Sequence, residues 1–353
     1  MPFGALNLWA HFDGEHYATV AGSGYLGTAQ EASPAFFPLY PMMMRSIAEL
    51  GGGPISLGGL SVWGVLISLA ALLPALWFVY RITEETWGKQ AAKGAVLTLA
   101  FFPTTFFLNA VYTESLFLML SSGAVWAVRI RRDLLLGCLF AAFATATRNV
   151  GVLLLIPLFY EWWRNRGEYN WRVMYLAIAP SGLILYMVWL WRQFGDPLLF
   201  LSEQAKWQRG FTGPLNTLMD AFALATKDLL SLFDPATYKA FDFSELLRVL
   251  ATTDDLYNLG FLIFAYVMLS LGVRWLSADL VLYGFALVLV PVFFETPLSP
   301  LMSMPRFVLV AFPLFIVLGI VLKDRRLLAG WAIGSAVISL AFCALFVNWH
   351  FVA

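Results

Sequence analysis

Asp13 and His16 stand three residues apart in HFDGEHYATVAGSGY, and Asp13 and Tyr17 four apart. A helix starting near Asp13 would put all three on one face. A carboxylate bordering a membrane cleft suits a general base that deprotonates a hydroxyl. The same residue at a helix start also suits a cap accepting from the amides of Glu15 or His16, and spacing leaves both readings open. Gly22 and Gly24 let the chain turn away after this helix. In Tyr112-Thr113-Glu114, Thr113 reads as a cap with Glu114 favoured by the helix dipole. Alternatively Glu114 faces a cleft and orients a substrate hydroxyl or Arg148.

Arg148 lies between the apolar runs Leu134–Thr147 and Val150–Tyr160. A charge so placed is costly without a fixed partner, which marks a functional position. Its rigid fork fits a phosphate through two parallel hydrogen bonds. A structural ion pair with Glu114 or Asp13 competes with that reading. FLSEQAKWQRGF offers Gln204, Lys206, Trp207 and Arg209 just after an apolar run, as anion contacts or as interface anchors. Pro305 and Arg306 open a later run, where proline is allowed, and Arg306 reads either as a second phosphate contact or as a lipid-headgroup anchor.

These groups need a frame, and composition supplies it. Of 353 residues, 60% are hydrophobic and 12% charged, too few to clothe a soluble protein of this length. The apolar residues come in long blocks between charged islands, as in a polytopic membrane protein. Lys plus Arg and Asp plus Glu are equal at 22 each, and no basic tract with interleaved aromatics points to nucleic acid. Cys138 and Cys343 sit in apolar runs and read as packing residues. The three histidines have no metal-ligand spacing, so no metal is expected. The opening residues lack the basic flank and apolar length of a signal peptide.

Ten apolar runs read as helical spans: Leu60–Tyr80, Gly94–Leu108, Val111–Val128, Leu134–Thr147, Val150–Trp163, Trp171–Trp191, Leu256–Val273, Leu280–Phe294, Phe307–Leu322 and Leu327–Val347. Four of the earlier runs are short for a crossing and read as tilted, paired or re-entrant, so the count lies between eight and eleven. Alternating them puts the short basic loops 81–93, 129–133, 164–170 and 323–326 on one side, the cytoplasmic one. Every unusual polar group then falls on the opposite face. Residues 1–353 read as one integral-membrane domain, with 1–59 as a first extracytoplasmic segment carrying the acidic motif and 192–255 as a second. Within them, residues 31–53 predict a Pro-rich turn, a short amphipathic helix and a glycine stop. Leu215–Phe233 and Phe243–Leu250 predict further amphipathic helices lying along the outer face.

Five stretches in order carry a family resemblance: HFDGEHYATVAGSGY, AFFPLYP, FFPTTFFLNAVYTESLFLML, ATATRNVGVLLL and SMPRFVLVAFPLFIVLG. The chain resembles the PIG-V-like branch of the GT-C-fold glycosyltransferases, related to the second mannosyltransferase of glycosylphosphatidylinositol-anchor synthesis. The resemblance implies an all-α polytopic membrane protein, a GT-C-like helical bundle with amphipathic helices on its outer face. It implies transfer of a hexose, typically mannose, with inversion, from a polyprenyl- or dolichyl-phosphate donor to a hydroxyl of a lipid-linked or extracytoplasmic glycan. It assigns the catalytic acidic residue of the first outer loop to Asp13, adds Glu114 of the acidic tyrosine motif as a second catalytic residue, and places Arg148 in the arginine motif. His16, Tyr17, Tyr112, Gln204, Lys206, Trp207, Arg209 and Arg306 complete the expected substrate- and phosphate-binding set. Donors of this type usually need no metal or other cofactor. The expected partners are the donor lipid, the glycan acceptor and membrane lipids, in a prokaryotic plasma membrane or, alternatively, the endoplasmic reticulum.

Two departures stand out. Phe12 replaces the tryptophan common before the acidic motif. Relatives usually have a complete span ahead of that loop, whereas ten residues precede His11 here, so a first helix is either absent or encoded upstream of Met1. The competing functional classes are a noncatalytic homologue or assembly subunit and, further off, a lipid or solute transporter, which would need a midplane site and repeated halves.

Overall fold

A computed structural model describes residues 8–26, 32–234, 243–297 and 299–352. The segments 1–59 and 192–255 therefore include residues outside the described ones. Helix α1 (Asp13–Ser23) is followed by α2 (Leu39–Leu50), the short helix expected after the Pro-rich turn, which ends at Gly51. Helix α3 (Leu57–Ala100) is two helical segments joined across a kink at Gly88, within the charged stretch 81–93 that the sequence presents as a loop. Glu84, Glu85, Lys89 and Lys93 are good helix formers, and the only break in helical geometry is Gly88 at φ 81°. The next run ends early, at Ala100, because Pro103 stops it.

Helices α4 (Glu114–Arg129) and α5 (Leu134–Thr147) form an antiparallel pair beside α3. A 3-10 stretch (Asn149–Leu154) leads into α6 (Leu155–Arg164), and another (Asn170–Ile178) bends by 41° at Pro180 into α7 (Ser181–Phe194). The amphipathic pieces appear as α8 (Pro214–Ser231) and α9 (Phe243–Ala251). They precede α10 (Asp254–Gly272) and α11 (Ala278–Leu289). Helices α12 (Met304–Val310) and α13 (Phe312–Val321) meet at 71°, and α14 (Arg325–Val347) closes the chain. The fold is a helical bundle, interrupted by one two-residue antiparallel pairing of β1 (Gly210–Phe211) with β2 (Phe294–Glu295).

Ten continuous spans are not what forms. Among the described residues three helices, α3, α10 and α14, are long and apolar enough to cross a membrane, or up to five if each bent pair counts as one. Of the other runs, Val111–Val128 and Leu134–Thr147 form helices of 16 and 14 residues, and proline-containing breaks or 3-10 turns divide the rest. Leu66, Leu69 and Leu73 on α3 and Ile333, Val337 and Leu340 on α14 are exposed. Outward apolar stripes of this length fit a lipid-facing surface, as expected of an integral membrane protein.

The centre is α13, wholly buried from Phe312 to Ile320 against α3 and α10. It crosses α3 backbone to backbone: a Cβ on Gly319 would lie 2.3 Å from the Ala91 carbonyl, and one on Gly94 2.9 Å from the Gly319 Cα. Small residues at such crossings let helices approach closely in an apolar medium. At the far end of α4, Arg129 bridges Glu161 of α6 and Asp279 of α11, and donates to Ser277. That cluster ties three helix ends together about 22 Å along α4 from Glu114.

Gly319→Ala is expected to destabilise the protein by about 1–3 kcal/mol through overpacking, whereas Gly334→Ala, where a Cβ meets nothing within 4 Å, should leave the melting temperature in detergent unchanged.

Candidate active site

The site begins where the chain start is bound to the 101–113 loop. Val111 N–H donates to the Trp9 carbonyl at 2.9 Å, and the Tyr112 hydroxyl to the His11 carbonyl at 3.1 Å. His11 stacks on Trp349 with centroids 3.8 Å apart and bonds through Nδ1 to the Phe346 carbonyl. Phe12 is then forced into the left-handed region at φ 56°, a conformation costly for an aromatic residue and sustained by the packing around it. Its ring meets Phe346, Trp349 and Phe351. The turn it makes starts α1 at Asp13, so Asp13, His16 and Tyr17 share a face and all three line one cavity.

Asp13 does not cap this helix. Phe12 occupies the cap position without a side-chain bond, and Asp13 Oδ2 accepts instead from Arg306 Nη1 at 2.7 Å. Thr113 likewise makes no capping bond, and its hydroxyl meets that of Tyr17 at 3.4 Å. Glu114, fully buried, accepts on one oxygen, Oε1, from both Arg148 Nη1 and Arg306 Nε, each at 2.8 Å. Its Oε2 is buried without a partner. The result is a chain of alternating charges, Arg148–Glu114–Arg306–Asp13. Aromatic rings flank both cations: Arg306 lies 4.7 Å from the Tyr112 centroid, and Arg148 lies 5.3 Å from that of Phe307 and 5.8 Å from that of Phe117. Arg306 is therefore no headgroup anchor; it is 6% exposed and holds two carboxylates.

The cavity has a volume of about 400 Å³. Asp13, His16, Tyr17, Arg148, Gln204, Trp207, Arg209 and Arg306 line it, while Glu114 and Tyr112 stand behind its wall. Lys206 does not reach it: it pairs with Glu203, with half of its side chain exposed. Arg209 differs from the other two arginines. Its Nη2 donates to the Met302 carbonyl at 2.8 Å, its Nε is buried without an acceptor, and among the described residues it forms no ion pair. Burial, with repulsion from Arg306, brings its pKa down to about 10. Such a cation gains from an incoming anion.

Phe36 was not among the sequence-derived candidates, although it lies in the AFFPLYP stretch; it stacks on His16 at 4.6 Å. A separate acidic group, Asp228, Asp254 and Asp255, has ligand atoms within 4.8 Å of one another. It lies away from the cavity, and Asp228 accepts the Leu256 amide near the start of α10.

Residues 4–162 match the family described as Mannosyltransferase (PIG-V), which bears out the sequence resemblance over that stretch. The chain is 27% identical over 152 residues to GPI mannosyltransferase 2 of Cryptococcus neoformans, covering 42% of this chain and 35% of that one. It is 34% identical over 158 residues to GPI alpha-1,6-mannosyltransferase 2 of Cricetulus griseus, covering 42% and 30%. It thus spans about a third of the length of these relatives. Among solved structures, ArnT from Cupriavidus metallidurans bound to undecaprenyl phosphate aligns over 94% of this chain and 76% of its own, at 14% identity and a TM-score of 0.40.

Removing one member of a buried charge pair leaves the other uncompensated, at about 3–5 kcal/mol. Glu114→Ala is expected to cost at least that much, because two arginines lose their acceptor. Unfolding of the Glu114→Ala, Arg148→Ala and double variants in a cycle should show strong non-additivity.

Proposed function

We propose that this chain is a membrane glycosyltransferase of GT-C-like type that moves a hexose, mannose by family kinship, from a polyprenyl-phosphate donor to a hydroxyl of a lipid-linked or extracytoplasmic glycan. The observation that carries this reading is that Arg209, which forms no ion pair among the described residues, lines the same cavity as Asp13. A base and an unsatisfied cation facing one chamber fit a displacement whose leaving group is a phosphate.

The step proceeds as follows. The acceptor oxygen attacks the anomeric carbon while the bond from that carbon to the phosphate oxygen breaks, inverting the centre. The acceptor's proton passes to Asp13, whose Oδ1 accepts no hydrogen bond among the described residues while Arg306 fixes Oδ2. The electron pair of the broken bond goes to the phosphate. Its growing charge falls first to Arg209, which holds no carboxylate, and then to Arg148 at the same wall. Preorganised cations at a developing charge lower the barrier without reorganisation. Glu114 is a positioning residue in this scheme, keeping Arg148 and Arg306 in place, and no step calls on a metal or cofactor. The prenyl tail stays in lipid. The cavity faces the extracytoplasmic side, opposite the short basic loops, in what we take to be a prokaryotic plasma membrane.

Transfer of radiolabelled sugar from mannosyl polyprenyl phosphate by the purified protein tests the reading. Asp13→Asn should abolish turnover with membrane abundance intact, and near-normal transfer would remove its role as base. Arg209→Ala should weaken donor binding by about 1.5–3 kcal/mol, the usual range for a hydrogen bond to a charged group, read as a raised donor KM. Absence of transfer by the wild-type protein from any prenyl-phosphate hexose would favour a noncatalytic assembly role.

A further inference from the structure

One aromatic corner of the cavity has its position set by the two groups that the displacement needs. His16 lies one helical turn after Asp13 on α1. Trp207 lies two residues before Arg209, at the end of a 3-10 turn (Glu203–Trp207). Gln208, left-handed at φ 55°, folds the chain so that both Trp207 and Arg209 line the cavity, and the Arg209 amide donates back to the Gln204 carbonyl at 3.2 Å. The two segments meet at the rings: His16 and Trp207 stand 5.7 Å apart and nearly perpendicular. Phe36 completes the corner, stacked on His16 at 4.6 Å and perpendicular to Trp207 at 5.7 Å.

This corner is held from behind. The Ser33 hydroxyl donates to Glu203 at 2.7 Å, tying the loop before Phe36 to the turn that carries Trp207. The Tyr25 hydroxyl donates to the Phe36 carbonyl at 2.6 Å, and that of Tyr186 to the Pro34 carbonyl at 2.7 Å. Rings fixed in this way form a surface before any ligand arrives, so little ordering entropy is lost on binding.

In a displacement the sugar must lie between the attacking oxygen, near the base, and the departing phosphate, near the cation. One wall bridging Asp13 and Arg209 is the His16–Phe36–Trp207 corner, the two segments meeting at the His16 and Trp207 rings. A hexose has an apolar face of C–H bonds as well as hydroxyls, and rigid aromatic rings with polar tips suit both. We propose that this corner is the hexose subsite, with Phe36 and Trp207 packing against the apolar face of the ring and Gln204 and His16 bonding its hydroxyls. The assignment rests on the transferase reading and deepens it by separating the residues that hold the sugar from those that hold its phosphate.

The test compares lipids with and without the sugar. The full-length protein in detergent is titrated with polyprenyl phosphate and with mannosyl and glucosyl polyprenyl phosphate of equal chain length, binding being followed by native mass spectrometry. Wild type should bind at least one sugar-bearing lipid tighter than the bare phosphate by tenfold or more. Trp207→Ala should erase that preference while leaving affinity for the bare lipid within about threefold; Trp207→Phe, which keeps a ring, should restore much of it. Phe36→Ala should act like Trp207→Ala if it folds, and Trp207 alone decides the matter if it does not. An undiminished sugar preference in Trp207→Ala, or an equal loss for both lipids, would overturn the subsite. Failure of wild type to bind any of the lipids would instead overturn the donor reading beneath it.

Discussion

Glu114 is a carboxylate with no contact to solvent that receives two guanidinium groups on a single oxygen. Burying an ion costs several kcal/mol, which is recovered only when opposite charge and hydrogen bonds sit close by. One carboxylate with two arginines leaves an excess of positive charge, and Asp13 neutralises it from the cavity side. The four groups satisfy one another only as a set. This mutual requirement fixes the relative placement of α1, α4, α12 and the end of α5, and the cavity is the space left in front of them.

Two kinds of cation follow from this arrangement. Arg148 and Arg306 have their charge answered within the protein, so they are rigid. Arg209 comes from a different part of the chain, the turn between α7 and α8, and among the described residues it bonds a backbone carbonyl and no carboxylate. The internally paired arginines supply shape and field, and the third supplies an unspent attraction for an anion. The family match at residues 4–162 covers Asp13, Glu114 and Arg148 and stops short of Arg209 and Arg306. Arg209, the cation that the proposed mechanism offers first to the leaving phosphate, thus comes from a segment beyond the matched stretch.

Much of the site was legible because helical spacing is strict. The intervals from Asp13 to His16 and Tyr17 put them on one face, and that face needed only a helix start, which Phe12 supplies. The amphipathic helices α2, α8 and α9 were equally readable from their stripes. What the sequence left open was partnership. An arginine at the edge of an apolar run looks alike whether it meets lipid or a buried carboxylate, so Arg306 and Arg148 kept two readings each, and Asp13 resembled a cap. Lys206 and Arg209, three residues apart, were indistinguishable until the left-handed turn at Gln208 aimed one inward and left the other outside. Span lengths misled for a related reason. Hydropathy reports where apolar residues are, while Pro180 and Pro313 bend the backbone inside runs that look continuous.

The ion pair between Arg306 and Asp13 joins residues separated by 293 positions. At a synthesis rate of about 5–20 residues per second, Asp13 waits roughly 15–60 s for the group that neutralises it. Glu114 meets Arg148 after only 34 further residues. The nascent chain therefore acquires its interior salt link early and its chamber late, and any ribosome-bound intermediate short of α12 carries an unanswered acid at its beginning. Assembly of the pocket is in this sense a late event relative to the synthesis of α1, with the segment that carries α12 acting as the key that locks that helix in register.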